Sequence, residues 1–225
     1  MDDVKHNYTK EHKNKFSKHL YPTEWVIRTM LGKYPELVFD KTSYSGGKIL
    51  DMGFGDGRNF KLLENIGFEI YGVEITEEIL DLVRDRIKNE NLAVGNNRNI
   101  PFNDKYFDFI LACSSFYYVD KGSSFQDNLK EYIRVLKNDG VLIANFPEIN
   151  KNFICKHSIN IGDNHIIIQN DPHNIRNGYI FRAFESKEEI LNVFSPFFKN
   201  ICIGYLYEEY FGYEMSGYIV VASKQ

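Results

Sequence analysis

The chain has 225 residues, 43% of them hydrophobic, enough for one domain with a sizeable core. No stretch approaches the roughly 18 uninterrupted apolar residues of a membrane span, and the opening segment lacks the apolar run of a secretory signal, so a cytoplasmic protein without a membrane partner is expected. A net charge of −4 gives no overall attraction for nucleic acid. Cys113, Cys155 and Cys202, scattered and without a CxxC pair, argue against a disulfide framework or zinc site.

The chain opens with a basic run. Lys5, Lys10, Lys13, Lys15 and Lys18, with His6, His12 and His19, face only Glu11, which reads as a solvated arm or as a lid that recognises phosphate. "YPTEWVIRTMLGK" reads as an amphipathic helix able to bring Tyr21, Trp25 and Arg28 over a site. From Lys48, apolar runs alternate with helical segments. "KILDMG" is a strand ended by a glycine turn, "NFKLLENIG" a helix and "EIYGVEI" the second strand. "TEEILDLVRDRIKN" is a helix with Thr76 as N-cap and acidic residues in its first turn. "LAVGN" and "YFDFILACSSF" are strands three and four, "FQDNLKEYIRVLKNDG" a helix stopping at Gly140, and "GVLIANFP" the fifth strand. Such alternation predicts a parallel sheet with right-handed crossovers. Beyond Pro147, two strand-like runs around an Asn-Asp-Pro turn read as a hairpin or lid. "SKEEILNVFSPFF" is a helix, and the last segment an antiparallel strand pair at the sheet edge.

The stretch "KILDMGFGDGRNF" carries the chemistry. Glycines after a first strand let the backbone approach a ligand beside a helix N-terminus. The dinucleotide fingerprint would need Gly or Ala where Arg58 stands, and a pyrophosphate beside Asp51 would be repelled. A ligand bearing ammonium and sulfonium groups would be attracted. Glu74, about twenty residues on at the end of the second strand, is placed to accept hydrogen bonds from ribose hydroxyls. The acidic loop therefore favours S-adenosylmethionine over NAD. The alternative is a plain structural turn.

Four stretches, "ILDMGFGDGRN", "YGVEIT", "VGNNRNIPFNDKYFDFILACSSFYYV" and "IRVLKNDGVLIANFP", together resemble the class I S-adenosylmethionine-dependent methyltransferases. The resemblance implies an α/β, Rossmann-like doubly wound seven-stranded sheet with an antiparallel C-terminal hairpin, helices on both faces and a small insertion after the fifth strand. The chain would be a single domain, 1–225, with an N-terminal helical lid (1–45) and a cofactor-binding core (46–147). An acceptor-side insertion (148–185) and the last helix with its strand pair (186–225) would complete it. S-adenosylmethionine is the implied cofactor and S-adenosylhomocysteine its product. Asp51, Gly53 and Gly55 would serve the methionine end, Glu74 the ribose, and Ile75, Asn96 and Asn97 the adenine, with Phe54 and Cys113 as further cofactor-binding residues. Asn96 stands where the family usually has aspartate; its carbonyl can accept the same bond from the adenine amino group.

The acceptor is less legible. Neither the Asn/Asp-Pro-Pro-aromatic stretch of base and amide methylation nor a Pro-Cys nucleophile follows the fourth strand, which favours an oxygen on a small molecule. Tyr117 and Tyr118 occupy positions that often face the active site, or else pack as aromatics. A hydroxyl acceptor needs a base. His157, His165 and His173 lie in the insertion, with His165 and His173 flanking the expected turn as candidate bases. Arg176 and Arg182 would add positive charge there, Arg176 with Tyr21 towards substrate. No metal is expected. The flanks resemble methyltransferases of bacterial surface-polysaccharide pathways, pointing to a sugar, phosphorylated or nucleotide-linked acceptor. An RNA or protein methyltransferase and a non-catalytic cofactor-binding protein are the alternatives. Oligomeric state is not legible.

Overall fold

The computed structural model describes residues 20–89 and 91–225. The basic run and its expected lid therefore lie outside the described residues.

β-branched and apolar runs build the central strands. β1 (Lys48–Met52), β2 (Glu69–Glu74) and β3 (Leu92–Val94) pair in parallel, and β4 (Phe107–Ala112) joins β1 on its other side. β5 (Tyr118–Val119) leaves this sheet. β6 (Leu136–Pro147) follows β4 in parallel, β11 (Tyr213–Lys224) runs antiparallel to it, and β10 (Phe198–Tyr210) closes the edge. The order β10-β11-β6-β4-β1-β2-β3 is the seven-stranded sheet with an antiparallel terminal hairpin expected from the sequence.

Helices cover both faces. On one lie α1 (Glu24–Leu31), α2 (Phe60–Ile66) and α3 (Glu77–Ile87). Their residues Trp25, Val26, Phe60, Leu63, Ile79 and Val83 share a core with Ile49, Ile70, Phe109 and Ile143 of the strands. On the other, α4 (Phe125–Val135) and α5 (Lys187–Phe194) pack Phe125, Tyr132, Ile190 and Phe194 against Leu50, Ile110, Leu142 and Phe146. Thr76 caps α3 as expected, accepting from the Ile79 N–H.

Three sequence expectations are corrected. α4 ends at Val135 rather than at Gly140. The Lys105 and Tyr106 N–H groups take the carbonyls of Arg134 and Val135, Lys224 Nζ takes those of Ile133 and Leu136, and Leu136 already pairs with Phe107. α1 does not close over the site: Trp25 and Met30 bury into the core, Arg28 pairs with Glu24 on the surface, and Tyr21 is 77% exposed. Third, the insertion is more than the expected hairpin: β8 (His165–Ile167) and β9 (Ile180–Arg182) do pair antiparallel around the Asn-Asp-Pro stretch, and β7 (Ile159–Gly162) and β5 extend them to a four-stranded sheet, β5-β9-β8-β7. Its tight turn is at Asp163 and Asn164, both left-handed (φ 47° and 51°), as a two-residue hairpin requires. The Asn-Asp-Pro stretch instead opens the loop between β8 and β9. His165 therefore pairs with Arg182, while His173 lies in the loop.

Candidate active site

The C-terminal ends of β1, β2 and β4 meet where ligands bind in open α/β sheets. Gly53 extends the β1–β2 ladder by donating to Val73 O at 2.8 Å, then turns with φ +68°. An added Cβ there would sit 2.5 Å from Ser115 Cβ, so the turn and the segment after β4 need this glycine. That segment is locked across the sheet. Ser115 Oγ donates to Met52 O, and the Ser114 N–H donates to Asn145 Oδ1 on β6 at 2.6 Å.

Asp51 ends fully buried, and among the described residues neither of its carboxyl oxygens has a hydrogen-bond partner. Burial, then the charges of Glu74 and Asp56, push its pKa up to about 8. A buried carboxylate without a partner is costly and is stabilised by a cationic ligand. Glu74 is 1% exposed. Its Oε1 accepts from the Gly55 N–H at 2.8 Å and its Oε2 from the Ile75 N–H at 2.9 Å. Burial raises its pKa to about 7 against those two bonds. A carboxylate has about four acceptor directions, so two remain for hydroxyl donors.

A cavity of about 430 Å³ opens beside these groups. Its floor is Met52, Gly53, Val73, Glu74 and Ile75, one wall Asn96, Asn97, Ser114 and Ser115, and its mouth Tyr118 to Lys121. Ile167, Gly178, Tyr179 and Ile180 of the insertion form the roof. The Asn97 side chain braces the wall: Nδ2 donates to Ser115 O at 2.8 Å and Tyr118 O at 2.9 Å, while Oδ1 accepts from Tyr132 Oη. Asn96 Oδ1 accepts from the Arg98 N–H at 3.1 Å, which leaves one acceptor direction.

The site residues expected from the sequence thus separate. Gly53, Glu74, Ile75, Asn96, Asn97 and Tyr118 line the cavity, and Gly55 reaches it through Glu74. Phe54 does not; its ring packs on Phe60 and over Gly72, inside the core. Cys113 lies beside Asp51, with its Sγ 3.6 Å from Thr23 Oγ1 and its pKa pushed up to about 11, chiefly by burial. The Thr23 N–H also donates to Asn59 Oδ1, so the residues before α1 do border the Asp51 end.

Tyr117 turns inward, 8% exposed, stacked on Tyr118 and edge-on to Phe181. Tyr21, His165 and His173 do not line the cavity. His165 Nδ1 lies 3.1 Å from Asp163 O and its Nε2 is buried without a partner; burial, then Arg182, lowers its pKa. His173 sits beside Tyr213 and His157 beside Phe153. Arg182 is spent on Glu189 and the Ala183 carbonyl, so it offers no free charge. Sequence reasoning missed the roof residues Ile167, Tyr179 and Ile180, and the Ser114–Ser115 lock. For the serines, their place directly after β4 was the available signal.

These groups fit the cofactor expected from the sequence. The orphaned Asp51 carboxyl suits an ammonium, Glu74 a ribose diol, and the apolar floor and Asn96 an adenine. Comparison with known proteins agrees. Residues 50–144 match a sequence family described as a methyltransferase domain. Demethylmenaquinone methyltransferase of Thermotoga maritima is 32% identical over 116 residues, 48% of each chain. The chain spans about half the length of the curated relatives it matches. Two solved structures share the fold. An S-adenosylmethionine-dependent methyltransferase from Methanosarcina mazei superposes with a TM-score of 0.64 at 21% identity, covering 85% of this chain and 98% of its own. A Thermotoga maritima protein described as a possible histamine N-methyltransferase gives 0.62 at 21% identity over 100% of both.

Proposed function

We propose that this protein, whose residues 50–144 match a family described as a methyltransferase domain, transfers a methyl group from S-adenosylmethionine to a polar small-molecule acceptor. The acceptor atom in this reading is an oxygen of a sugar, phosphorylated or nucleotide-linked metabolite. The observation that carries the cofactor half is Glu74 lining the cavity while Asp51, directly before the lining residues Met52 and Gly53, is buried without a hydrogen-bond partner among the described residues. S-adenosylmethionine supplies an already activated methyl group, so the chain's own task is positioning and exclusion of water.

Asp51 holds the ammonium, Glu74 the ribose, and the roof of Ile167, Tyr179 and Ile180 keeps the cavity dry. An oxygen acceptor must also lose its proton. Neither candidate histidine lines the cavity; of the two, His173 shares the β8–β9 loop with Arg176, whereas His165 lies in the insertion sheet paired with Arg182, so His173 is the proposed base. The named relatives concern a quinone precursor and an amine, so the acceptor atom is argued from this chain's own insertion.

The test is to incubate the protein with methyl-tritiated S-adenosylmethionine and separate metabolite, RNA and protein fractions. Label in the low-molecular-weight fraction, stable to mild base as a methyl ether, is expected. Label confined to RNA or protein would overturn the acceptor reading.

A further inference from the structure

The loop between β8 and β9 is organised around one carboxylate. The Asp171 side chain is fully buried and accepts from the Ile175 N–H at 2.9 Å, the Arg176 N–H at 3.0 Å and the His173 N–H at 3.4 Å. The same carboxylate meets Arg176 Nη1 at 3.2 and 3.4 Å, long for a charge-assisted pair. Its charge is shared among three backbone donors, so it orients the guanidinium while neutralising it weakly. The guanidinium also hydrogen-bonds the Tyr118 side chain and faces Tyr117, which still leaves some of its five donors unassigned. Burial disfavours its charge, but Tyr118, Tyr117 and Asp171 together hold it above the ordinary arginine value.

Arg176 is three-quarters buried yet keeps a quarter of its side chain open. Arg176 does not itself line the cofactor cavity; Tyr118, which it contacts, and Gly178, two residues on, do, so the guanidinium stands one side chain behind that wall. The tyrosines form an aromatic wall, Tyr117 stacked on Tyr118 at 5.1 Å and Tyr179 edge-on at 5.2 Å. A desolvated arginine with incomplete pairing is stabilised by an oxyanion that takes its remaining donors.

We infer that Arg176, oriented by Asp171 and flanked by the Tyr117 and Tyr118 rings, anchors an oxyanion of the acceptor, a phosphate or carboxylate remote from the methylated atom. The inference rests on the proposed methyl transfer and narrows it: neutral sugars are poor acceptors, and their phosphorylated or acidic derivatives good ones. Arg182, the other arginine of the insertion, cannot share the role, since it is 6% exposed and pairs with Glu189. Lys121, at the cavity mouth, is the competing cation.

The test titrates protein saturated with S-adenosylhomocysteine with inorganic phosphate and, separately, with acetate, at constant ionic strength. The wild type is expected to bind one of them, which identifies the oxyanion. Arg176→Gln should bind it about ten-fold more weakly, the loss of one charge-assisted bond. Arg176→Lys should recover part of the loss and Lys121→Gln should lose none, with S-adenosylhomocysteine affinity equal in the wild type and both Arg176 variants. No binding by the wild type, or equal binding by Arg176→Gln, overturns the inference, as does loss only in Lys121→Gln. Failure of the wild type to bind S-adenosylhomocysteine is a different result: it refutes the methyltransferase reading, and the phosphate and acetate titrations of the unloaded protein still decide whether Arg176 binds an oxyanion.

Discussion

Truncating Glu74 to alanine should weaken S-adenosylhomocysteine binding by on the order of a hundredfold. Two of its acceptor directions are committed to Gly55 and Ile75, and two face the cavity. Each bond from a ribose hydroxyl to a carboxylate contributes about 1.5–3 kcal/mol, so two lost bonds cost about 3 kcal/mol or more. If only one forms, the floor is about 1.4 kcal/mol, a factor of ten. Because burial holds the Glu74 pKa near 7, titration calorimetry should be run at pH 8.5, where the carboxylate is ionised before ligand arrives. A Glu78→Ala control, on the exposed first turn of α3, should be neutral. An affinity change under about two-fold for Glu74→Ala, with native circular dichroism, would refute the ribose assignment, since even one such bond implies ten-fold.

The raised pKa values of Asp51, about 8, and Glu74, about 7, mean that a cationic ligand must displace protons below those values. S-adenosylhomocysteine affinity should therefore rise from pH 6 to pH 8.5, and calorimetry in buffers of different ionisation enthalpy should detect proton release; a flat profile contradicts this. Without ligand, the same burial makes the Asp51 contribution to stability full below its ordinary value of 3.8 and lost as pH rises through about 8. Asp51→Asn should lower the melting temperature less across pH 5 to 8 than the wild type does, while abolishing the pH dependence of ligand affinity assigned to this group. Gly53→Ala should destabilise by about 1–3 kcal/mol, from its left-handed backbone and the 2.5 Å approach to Ser115, read as a lower denaturation midpoint. On an identified acceptor, His173→Ala should lower kcat and His165→Ala should leave it nearly unchanged; the reverse order would move the base to β8.

The core of the fold was legible because its signals are local. The β1, β2 and β4 runs, the Thr76 cap and the glycine loop each follow from neighbours in the chain, and each stands where expected. What was not legible depends on long-range pairing. β5 is only two residues, and it becomes a strand because Tyr118 and Val119 meet Phe181 and Ile180 of β9. Likewise α4 stops early because its last two carbonyls, of Arg134 and Val135, accept from the Lys105 and Tyr106 N–H groups ahead of β4, while Lys224, from the far end of the chain, takes Ile133 O and Leu136 O. Phe54 sits between two cofactor-loop glycines and reads as a ligand contact, but the open surface of Gly72 on β2 draws its ring into the core. Trp25 and Arg28 share a helix whose apolar side was evident, although nothing local said which face of the sheet it would cover. Arg176 and Arg182 look alike in sequence. Only the packed insertion shows that Arg182 is consumed by Glu189, while Arg176 is held by Asp171 and keeps a quarter of its side chain open.

The most direct test of the central claim is a calorimetric titration of purified protein with S-adenosylhomocysteine and, in parallel, NAD. Micromolar binding of the first is expected, lost in the Asp51→Asn, Glu74→Ala double variant, and no heat from the second. Binding of NAD alone, or S-adenosylhomocysteine binding that survives in the double variant, would contradict it.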